Sequence, residues 1–387
     1  MTEFNQGALR GFGFQVVSNL LDRQAGIPAF TKVTAQESTL LEFQSSGCGG
    51  IADSHTLSVH TIRQCKSVQC SEPKILIPSI PYLTRGSELM KLCGSDIIIS
   101  GRLLRIAHID GDKYNFPEDP EMLIDSLRKC GERIDLFTFL QKLPEPIPKY
   151  AYPVEMDNLA VLPVSTFDNW WNHQIKSFPR NRARQAEKKG VVLREVACDE
   201  ALIQGICGIY NESRIRQGRR FPHYGMTFDM ARDYARTFLD RSIFVGAFVG
   251  DTLIGFIKLV MDESRTHACL VHILSMIQHR DKAPTNALLA QAVKICADRG
   301  ISYLVYENFT YGKKQGDSLS HFKEVNGFQR MDLPRYYIPL TPLGRIAFRL
   351  GLHHRLTDRL PESLVAKLRE LRTAWYERRF QLKAQSL

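Results

Sequence analysis

One stretch, residues 266–328, limits what this chain can fold into more than any other. A helix of residues 286–299 begins after Pro284 and Thr285, carries apolar residues at helical spacing and stops at Gly300. The segments on either side of it, 266–276 and 301–306, have the apolar, β-branched and aromatic character of strands, and a short helix is predicted at 319–326. A one-sided helix between two strands predicts a mixed α and β layer in which the helix packs on the sheet.

Two motifs carry a resemblance to a known family. The short helix contains Ser-Leu-Ser-His-Phe322-Lys323-Glu-Val-Asn-Gly327-Phe328, and segment 181–191 reads Asn-Arg-Ala-Arg-Gln-Ala-Glu-Lys-Lys-Gly-Val. Their order and separation resemble the FemAB-like acyltransferases, which belong to the GNAT-fold N-acyltransferases. The resemblance covers about residues 165–340. It implies an α+β (mixed α/β) fold with tandem GNAT-like domains, and it implies acyl-CoA or aminoacyl-tRNA as co-substrate with no bound cofactor.

Proline spacing divides the chain. Four prolines between positions 144 and 153 predict a rigid connector, because proline continues neither a helix nor a central strand. We therefore expect an N-terminal GNAT-like domain at 1–164, a C-terminal GNAT/FemAB-like domain at 165–340 and a basic helical tail at 341–387. A helix is expected at 166–177, interrupted by Pro179, with a basic helix at 180–189 behind it.

Several classes of protein are excluded by composition. The nine cysteines are scattered and include no Cys-x-x-Cys, which favours reduced, mostly buried thiols over zinc ligands, so no metal is predicted. The amino terminus lacks the basic and apolar pattern of a secretory signal. The most apolar window, 243–260, is broken by Gly250-Asp251 and Lys258, which predicts a β-hairpin. We expect a cytoplasmic protein.

A net charge of +10 favours anionic partners, namely tRNA or other RNA, acidic lipid headgroups, or an anionic small-molecule substrate. The tail 341–387 has ten basic and four acidic residues, hence a net charge of +6. Its leucines at 364, 368 and 371 lie on one helix side with Trp375. Such a stripe either lies on the inner face of the membrane or packs on the protein's own core, and we expect the second.

The loop that leads into helix 286–299 is the candidate donor-binding element. Its residues Arg280, Lys282, Thr285 and Asn286 would hold an anion at a helix N-terminus, where free N–H groups and the helix dipole favour negative charge. Ala283 stands where GNAT acetyltransferases have the first glycine of their pyrophosphate loop, and Pro284 removes one N–H donor. This departure fits an aminoacyl-tRNA donor better than a standard CoA site. The alternative is a plain connection with solvated charges.

Catalytic roles are assigned to Lys323 and Glu307. The resemblance implies that Phe322 and Lys323 face the cleft, where Lys323 would stabilise negative charge and Phe322 would wall the pocket. Glu307, preceded by Tyr306 at a strand end, could take the proton of an acceptor amine. The alternatives are a core Phe322 with a solvated Lys323, and a Glu307 that pairs with an arginine or caps a turn.

Substrate contacts are predicted in segment 211–224, which places four arginines among aromatic residues. We assign this role to Arg216, Arg219 and Tyr224, because arginine binds phosphate bidentately and tyrosine stacks on a base or sugar. A solvated basic loop is the alternative.

The predicted activity is transfer of an acyl or aminoacyl group to an amine, on a cell-envelope or polysaccharide precursor. Two other functions stay open. One is a CoA-dependent N-acetyltransferase of a metabolite or protein, and the other is a non-enzymatic GNAT-fold module that binds RNA or acidic lipid.

Overall fold

The computed structural model describes residues 87–216, 219–310, 318–354 and 361–384. The start of the predicted N-terminal domain lies outside the described residues, and so does the segment Lys74-Ile-Leu-Ile-Pro78, whose apolar run predicts a strand. The elements of the described part are numbered below in chain order.

The strands of the main sheet come in two groups. The first group is β1 (Glu88–Leu92), β2 (Ser95–Ser100), β3 (Ile106–Ile109), β4 (Leu136–Leu140) and β5 (Val154–Pro163). The second is β6 (Val192–Val196), β9 (Ser242–Val249), β10 (Thr252–Met261), β11 (His267–Ser275), β12 (Tyr303–Asn308) and β13 (Gln329–Pro339). Two short strands, β7 (Ile215–Arg216) and β8 (Arg219–Arg220), form a separate ribbon.

Helices cover both groups. They are α1 (Pro120–Lys129), α2 (Phe167–Asn169), α3 (Ser177–Lys188), α4 (Glu200–Asn211), α5 (Phe228–Ala235), α6 (Pro284–Asp298), α7 (Ser318–Val325), α8 (Pro342–Arg349) and α9 (Glu362–Ala384). Apolar residues of α6, among them Leu288, Leu289 and Val293, are fully buried against the second group of strands. Leu123, Ile124 and Leu127 of α1 are buried in the same way against the first group.

The sheet order is β1-β2-β3-β4-β13-β5-β12-β11-β10-β9-β6. Neighbouring strands are antiparallel except in two pairs, β3 with β4 and β11 with β12. Each parallel pair is connected through a helix, α1 in the first group and α6 in the second. The chain therefore contains one unit twice, in which three antiparallel strands are followed by a helix and a parallel strand.

The two units exchange their last strands. β5 follows the first unit but pairs with β12 of the second, whereas β13 follows the second and pairs with β4 of the first. β5 and β13 also pair with each other at the centre of the sheet. The α+β class and the tandem GNAT-like arrangement expected from the sequence are confirmed by this repeat.

Strand β5 was not predicted, although Leu159, Ala160, Val161 and Leu162 on it are almost fully buried. It belongs to the predicted domain 1–164, yet both of its strand partners belong to the predicted domain 165–340. The boundary near residue 164 stays a prediction.

Three local predictions are wrong. The expected helix 166–177 consists of α2 and one π-helical turn, Trp170–Gln174, and Ile175 is extended. Pro179 does not interrupt a helix but lies in the first turn of α3, where its missing N–H has no intrahelical acceptor to lose. The segment expected to be a loop leading into helix 286–299 contains a 3-10 helix, Ile277–Lys282.

The helical tail is present as α8 and α9. Gly344 of α8 approaches the sheet so closely that an added Cβ would lie 1.8 Å from the backbone oxygen of Asp135. The expectation that the apolar stripe of the tail packs on the core is wrong, because four of its residues are 44–67% exposed: Leu364, Leu368, Leu371 and Trp375. Among the described helices, none has the length and apolarity that crossing a membrane requires.

Candidate active site

The parallel strands β11 and β12 separate after a short region of pairing. Their ladder consists of His267 with Tyr303, Ala268 with Leu304 and Cys269 with Val305. β11 then continues to Ser275 and β12 to Asn308. On its other side, β11 shifts register against β10 between Lys258 and Leu259, which leaves Val271 as the extra residue of a β-bulge. The result is a wedge between two strand edges, which we call the strand wedge, with α6 starting beyond the end of β11.

Glu307 lies on the β12 side of the strand wedge. The sequence had suggested that Glu307 follows the strand, but the residue is part of β12. Its backbone is in the left-handed region with φ 50°. The pairing of β12 with β5 shifts register between Val305 and Asn308, so Glu307 lies within a local irregularity of the strand. Such a backbone conformation is costly for a residue with a Cβ atom and is enriched at functional sites.

A cluster of opposite charges surrounds Glu307, and we call Asp112, Lys113, Asp157, Glu307 and Arg335 the central charged cluster. The Lys113 ammonium forms an ion pair with Glu307 and donates to Asn308 Oδ1 at 2.8 Å. Arg335 binds Asp112 at 2.7 Å and Asp157 at 3.0 Å. The cluster joins the loop after β3 of the first unit to β5, β12 and β13, and its side chains are only 12–20% exposed.

Opposite charges favour the ionised forms of Lys113 and Asp112. Burial is the largest single influence on Lys113 and would lower its pKa, but the carboxylates of Glu307, Asp112 and Asp157 together outweigh it, so the pKa is raised. Burial likewise opposes ionisation of Asp112, and the nearby positive charges, Arg335 first and then Lys113, together hold the pKa of Asp112 below its usual value. Asp110 lies in the same loop as Asp112. Burial is the main influence on its carboxyl group and raises its pKa to about 6.

Lys323 lies next to the central charged cluster, because Lys323 and Lys113 both donate hydrogen bonds to Asn308. It is fully buried on α7, its ammonium donates to the backbone oxygen of Asn308, and it lies 4.8 Å from the centre of the Tyr306 ring. The alternative of a solvated Lys323 is therefore wrong. Phe322 and Tyr306 are buried in the core that contains α6. The structure thus brings Lys323, Glu307, Tyr306 and Phe322 together at the end of β12, and their catalytic and binding roles stay predictions.

Most backbone amides in the predicted donor loop already have acceptors within the protein. Ile277 and Gln278 donate to the carboxylate of Glu212 at 2.7 and 2.9 Å. Ala283 donates to Arg280, Asn286 donates to Ala283, and Pro284 has no N–H. Of the predicted side chains, Thr285 is buried and its hydroxyl lies 2.9 Å from that of Ser275, whereas Arg280, Lys282 and Asn286 are partly exposed.

The buried side chain of Arg216 stabilises the position of Glu212 by hydrogen bonds. It is 5% exposed, and its guanidinium donates to Glu212, to the backbone oxygen of Ile209 and to that of Ser275 at 2.8–3.0 Å. A substrate-binding role for Arg216 stays a prediction, and this placement favours a structural role. The backbone of Arg219 pairs with Arg216, while its side chain lies outside the described structure. The ring of Tyr224 is partly exposed and lies under Arg214.

A small cavity between α4, α5 and the strands β10 and β11 contains buried basic groups. Burial lowers the pKa of Lys258 to about 7, and its ammonium donates to the backbone oxygen of Ala235, the last residue of α5, and to the backbone oxygen and hydroxyl of Thr237. These contacts cap the C-terminal end of α5. His272 of β11 lies in the same cavity, and burial lowers its pKa well below the usual value.

Sequence reasoning missed Lys113, Asp157 and Arg335. A signal existed for two of these: Lys113 follows an Asp-Gly-Asp loop next to a strand, and Arg335 is a charged residue in a central strand. Neither indicates its partner, because Lys113 and Glu307 are 194 positions apart.

No protein-family model matches this chain, and no curated protein matches it. Among solved structures, FemX is similar over 68% of this chain and 90% of its own, with 12% identity and a TM-score of 0.45. L-PGS from Bacillus licheniformis is similar over 65% and 83%, with the same identity and TM-score. A tandem GNAT protein from the clavulanic acid biosynthesis pathway gives 11% identity and a TM-score of 0.37 over 66% and 83%. Likenesses of this size say nothing of substrate or reaction.

Proposed function

We propose that this protein transfers an acyl or aminoacyl group from a thioester or aminoacyl-tRNA donor to an amine. The observation that carries the proposal is the strand wedge, which presents backbone edges of β11 and β12 beside Glu307. An extended donor arm can lie along such an edge and form the hydrogen bonds that a strand would otherwise form. The wedge would then align the reacting carbonyl with groups fixed on rigid strands.

Two charged groups next to the wedge suit this chemistry. The acceptor amine must lose a proton, and the carboxyl group of Glu307, near the end of β12, could take it. The carbonyl oxygen gains negative charge in the tetrahedral intermediate, and the buried positive charge of Lys323 would stabilise it. In this proposal the nitrogen attacks the carbonyl carbon, the ester or thioester bond breaks, and no covalent enzyme intermediate is formed.

The state of the donor loop favours an aminoacyl ester over acyl-CoA. A CoA pyrophosphate needs free amides at the start of α6, where Pro284 has no N–H and the Asn286 amide already donates to the backbone oxygen of Ala283. Partly exposed cations of this region, Arg280 and Lys282, would instead contact a nucleic-acid backbone. For the acceptor, the net charge of +10 and the family resemblance support an anionic molecule with a free amine, of the cell-envelope precursor class.

The tail supports an acceptor or partner at an anionic membrane surface. On α8, exposed Leu343, Ile346 and Leu350 accompany exposed Arg345 and Arg349. A helix that presents apolar and basic side chains together binds the interface of an acidic bilayer. We therefore propose that α8 contacts acidic lipid.

Donor binding is the test of this function. The full-length protein would be titrated with acetyl-CoA and with a non-hydrolysable aminoacyl-tRNA analogue at one fixed salt concentration, with uncharged tRNA as the control. We expect saturable binding of the charged analogue that exceeds binding of uncharged tRNA. Binding of acetyl-CoA alone would support the CoA-dependent acetyltransferase instead. If charged and uncharged tRNA bind equally, and acetyl-CoA does not bind, the proposal fails and the RNA-binding module replaces it.

A further inference from the structure

Two histidines and a glutamate come together away from the strand wedge, where the turn after α8 meets the start of β5. His353 Nε2 lies 3.1 Å and His354 Nε2 lies 3.2 Å from the same atom, Oε1 of Glu155. One nitrogen or oxygen from each of the three residues lies within 4.8 Å of the others. The acyl transfer proposed above uses none of them.

The distances fit a common metal ion. In a tetrahedral zinc site with bonds of about 2.1 Å, neighbouring ligand atoms are about 3.4 Å apart. The two nitrogen-to-oxygen separations at Glu155 are within a few tenths of an ångström of that value. The third separation, between ligand atoms of the two histidines, is within 4.8 Å, so a side-chain adjustment of about 1 Å would place an ion between the three atoms.

The donor set narrows the choice of metal. Two imidazoles with one carboxylate suit Zn²⁺ and related divalent transition metals, whereas Mg²⁺ and Ca²⁺ prefer oxygen ligands throughout. Three protein ligands leave a fourth position open in a tetrahedral site, and a water molecule can occupy it.

The two histidines differ in exposure, because His353 is fixed by packing whereas His354 is open to solvent. The side chain of His353 is 2% exposed, with its ring 4.6 Å from that of Tyr337 and 5.0 Å from that of Phe348. Its Nδ1 is buried and has no hydrogen-bond partner among the described residues, so Glu155 is the polar group that orients the ring. His354 is 42% exposed, which gives an ion a path from solvent.

We propose that Glu155, His353 and His354 bind one Zn²⁺-type divalent ion, with water in the fourth position. Glu155 lies on β5, the strand exchanged between the two units, and the histidines lie just after α8. The ion thus connects the basic tail to the centre of the sheet. Binding requires each ring to offer the lone pair of its Nε2, so in the metal-bound state a neutral ring carries its proton on Nδ1.

The test is metal binding by the full-length protein after removal of all metal with a chelator. Titration with Co²⁺, followed by competition with Zn²⁺, should show one equivalent bound without the charge-transfer absorption of a cobalt–thiolate bond, which excludes the cysteines. His353→Asn with His354→Asn should lose this equivalent. Glu155→Gln, which keeps the size of the side chain, should weaken binding by about 100-fold or more, since loss of an outer partner alone costs about 10–100-fold.

His173→Asn removes an exposed histidine of the π-helical turn and should bind as the wild type does. The proposal is overturned if the wild type binds no thiolate-free equivalent, or if Glu155→Gln and the double histidine variant bind metal as tightly as the wild type. In that case the three residues form only hydrogen bonds. Circular dichroism of each variant in the absence of metal would show that it is folded.

Discussion

At the scale of single residues, the charge of Lys323 can be separated from its packing. Lys323→Met keeps the length of the side chain and removes the ammonium. We expect the rate of acyl transfer to fall about 100- to 1,000-fold, the usual effect of losing one group that stabilises the oxyanion. The free energy of unfolding should change by less than about 2 kcal/mol, because an unpaired carbonyl of Asn308 and a lost buried charge oppose each other.

The matched control is Lys294→Met on α6, where the lysine is half exposed and pairs with Asp298. It should leave both the rate and the stability unchanged. A Lys323→Met variant that transfers at the wild-type rate would remove Lys323 from the proposed mechanism.

Lys323 and Glu307 could be identified from the sequence, but the residues that surround them could not. Phe322-Lys323 belongs to a motif that can be read locally, and Tyr306-Glu307 ends a clear apolar run. The partners Lys113, Asp157 and Arg335 come from three other elements, and only the folded sheet brings them to Glu307. The buried position of Lys323 could not be predicted either, because lysine is rarely buried and nothing in its own helix requires it.

At the scale of elements, the packing of α4 on the sheet makes stability depend on pH through His223. This histidine is 5% exposed and stacks on Tyr210 of α4 at 4.6 Å. Burial, followed by the charge of Arg216, lowers its pKa to about 4. The unfolded chain therefore binds the proton first on acidification, and stability is lost as the pH falls from about 6.5 towards 4.

His267 also makes the protein less stable at acidic pH, since burial lowers its pKa to about 4. Asp110, whose pKa is raised, has the opposite effect on stability. We expect urea unfolding to show a lower free energy at pH 5 than at pH 7. In His223→Phe this loss should be smaller by about 2 kcal/mol. His173→Phe, at an exposed position, should keep the wild-type pH dependence. An unchanged loss in His223→Phe would mean that His223 is protonated in the folded state.

Helix α6 and strand β5 show why some elements were predicted and others were not. The helix has its own start and stop signals and an apolar face, all within fifteen residues. β5 follows a run of prolines, and its burial is imposed by β12 and β13, whose paired residues lie 140–182 positions away. The exchange of last strands is set by these distant pairings, so it could not be derived from local patterns.

At the scale of the whole molecule, strand exchange predicts where the chain can be divided. A fragment of residues 165–354 lacks β5, which leaves an unpaired edge on β12, and it lacks both β4 and β5, the two partners of β13. It also loses three aliphatic side chains at 0–1% exposure, Leu159, Val161 and Leu162, each worth about 1.5–3 kcal/mol of burial. We expect this fragment to aggregate, and a fragment of residues 150–354 to keep more native secondary structure.

Circular dichroism and size-exclusion chromatography of the two fragments provide the comparison. If residues 165–354 form a monomer with cooperative unfolding equal to that of the longer fragment, the predicted boundary near residue 164 is a true domain boundary and β5 is dispensable to the second unit.

The last prediction is that the intact protein binds a membrane through the exposed side chains of its tail. The full-length protein should sediment with vesicles that contain phosphatidylglycerol and not with pure phosphatidylcholine, and salt should weaken this binding because the arginines contribute through charge. Ile346→Ser with Leu350→Ser removes two side chains that are 53% and 63% exposed, and we expect binding to fall about 10- to 30-fold from the lost apolar burial. Leu103→Ser with Ile147→Ser changes two aliphatic residues outside the tail that are even more exposed, at 88% and 76%, and should have no effect. Equal losses in both double variants would mean that α8 is not the contact surface, and equal binding to neutral vesicles would show that acidic lipid is not recognised.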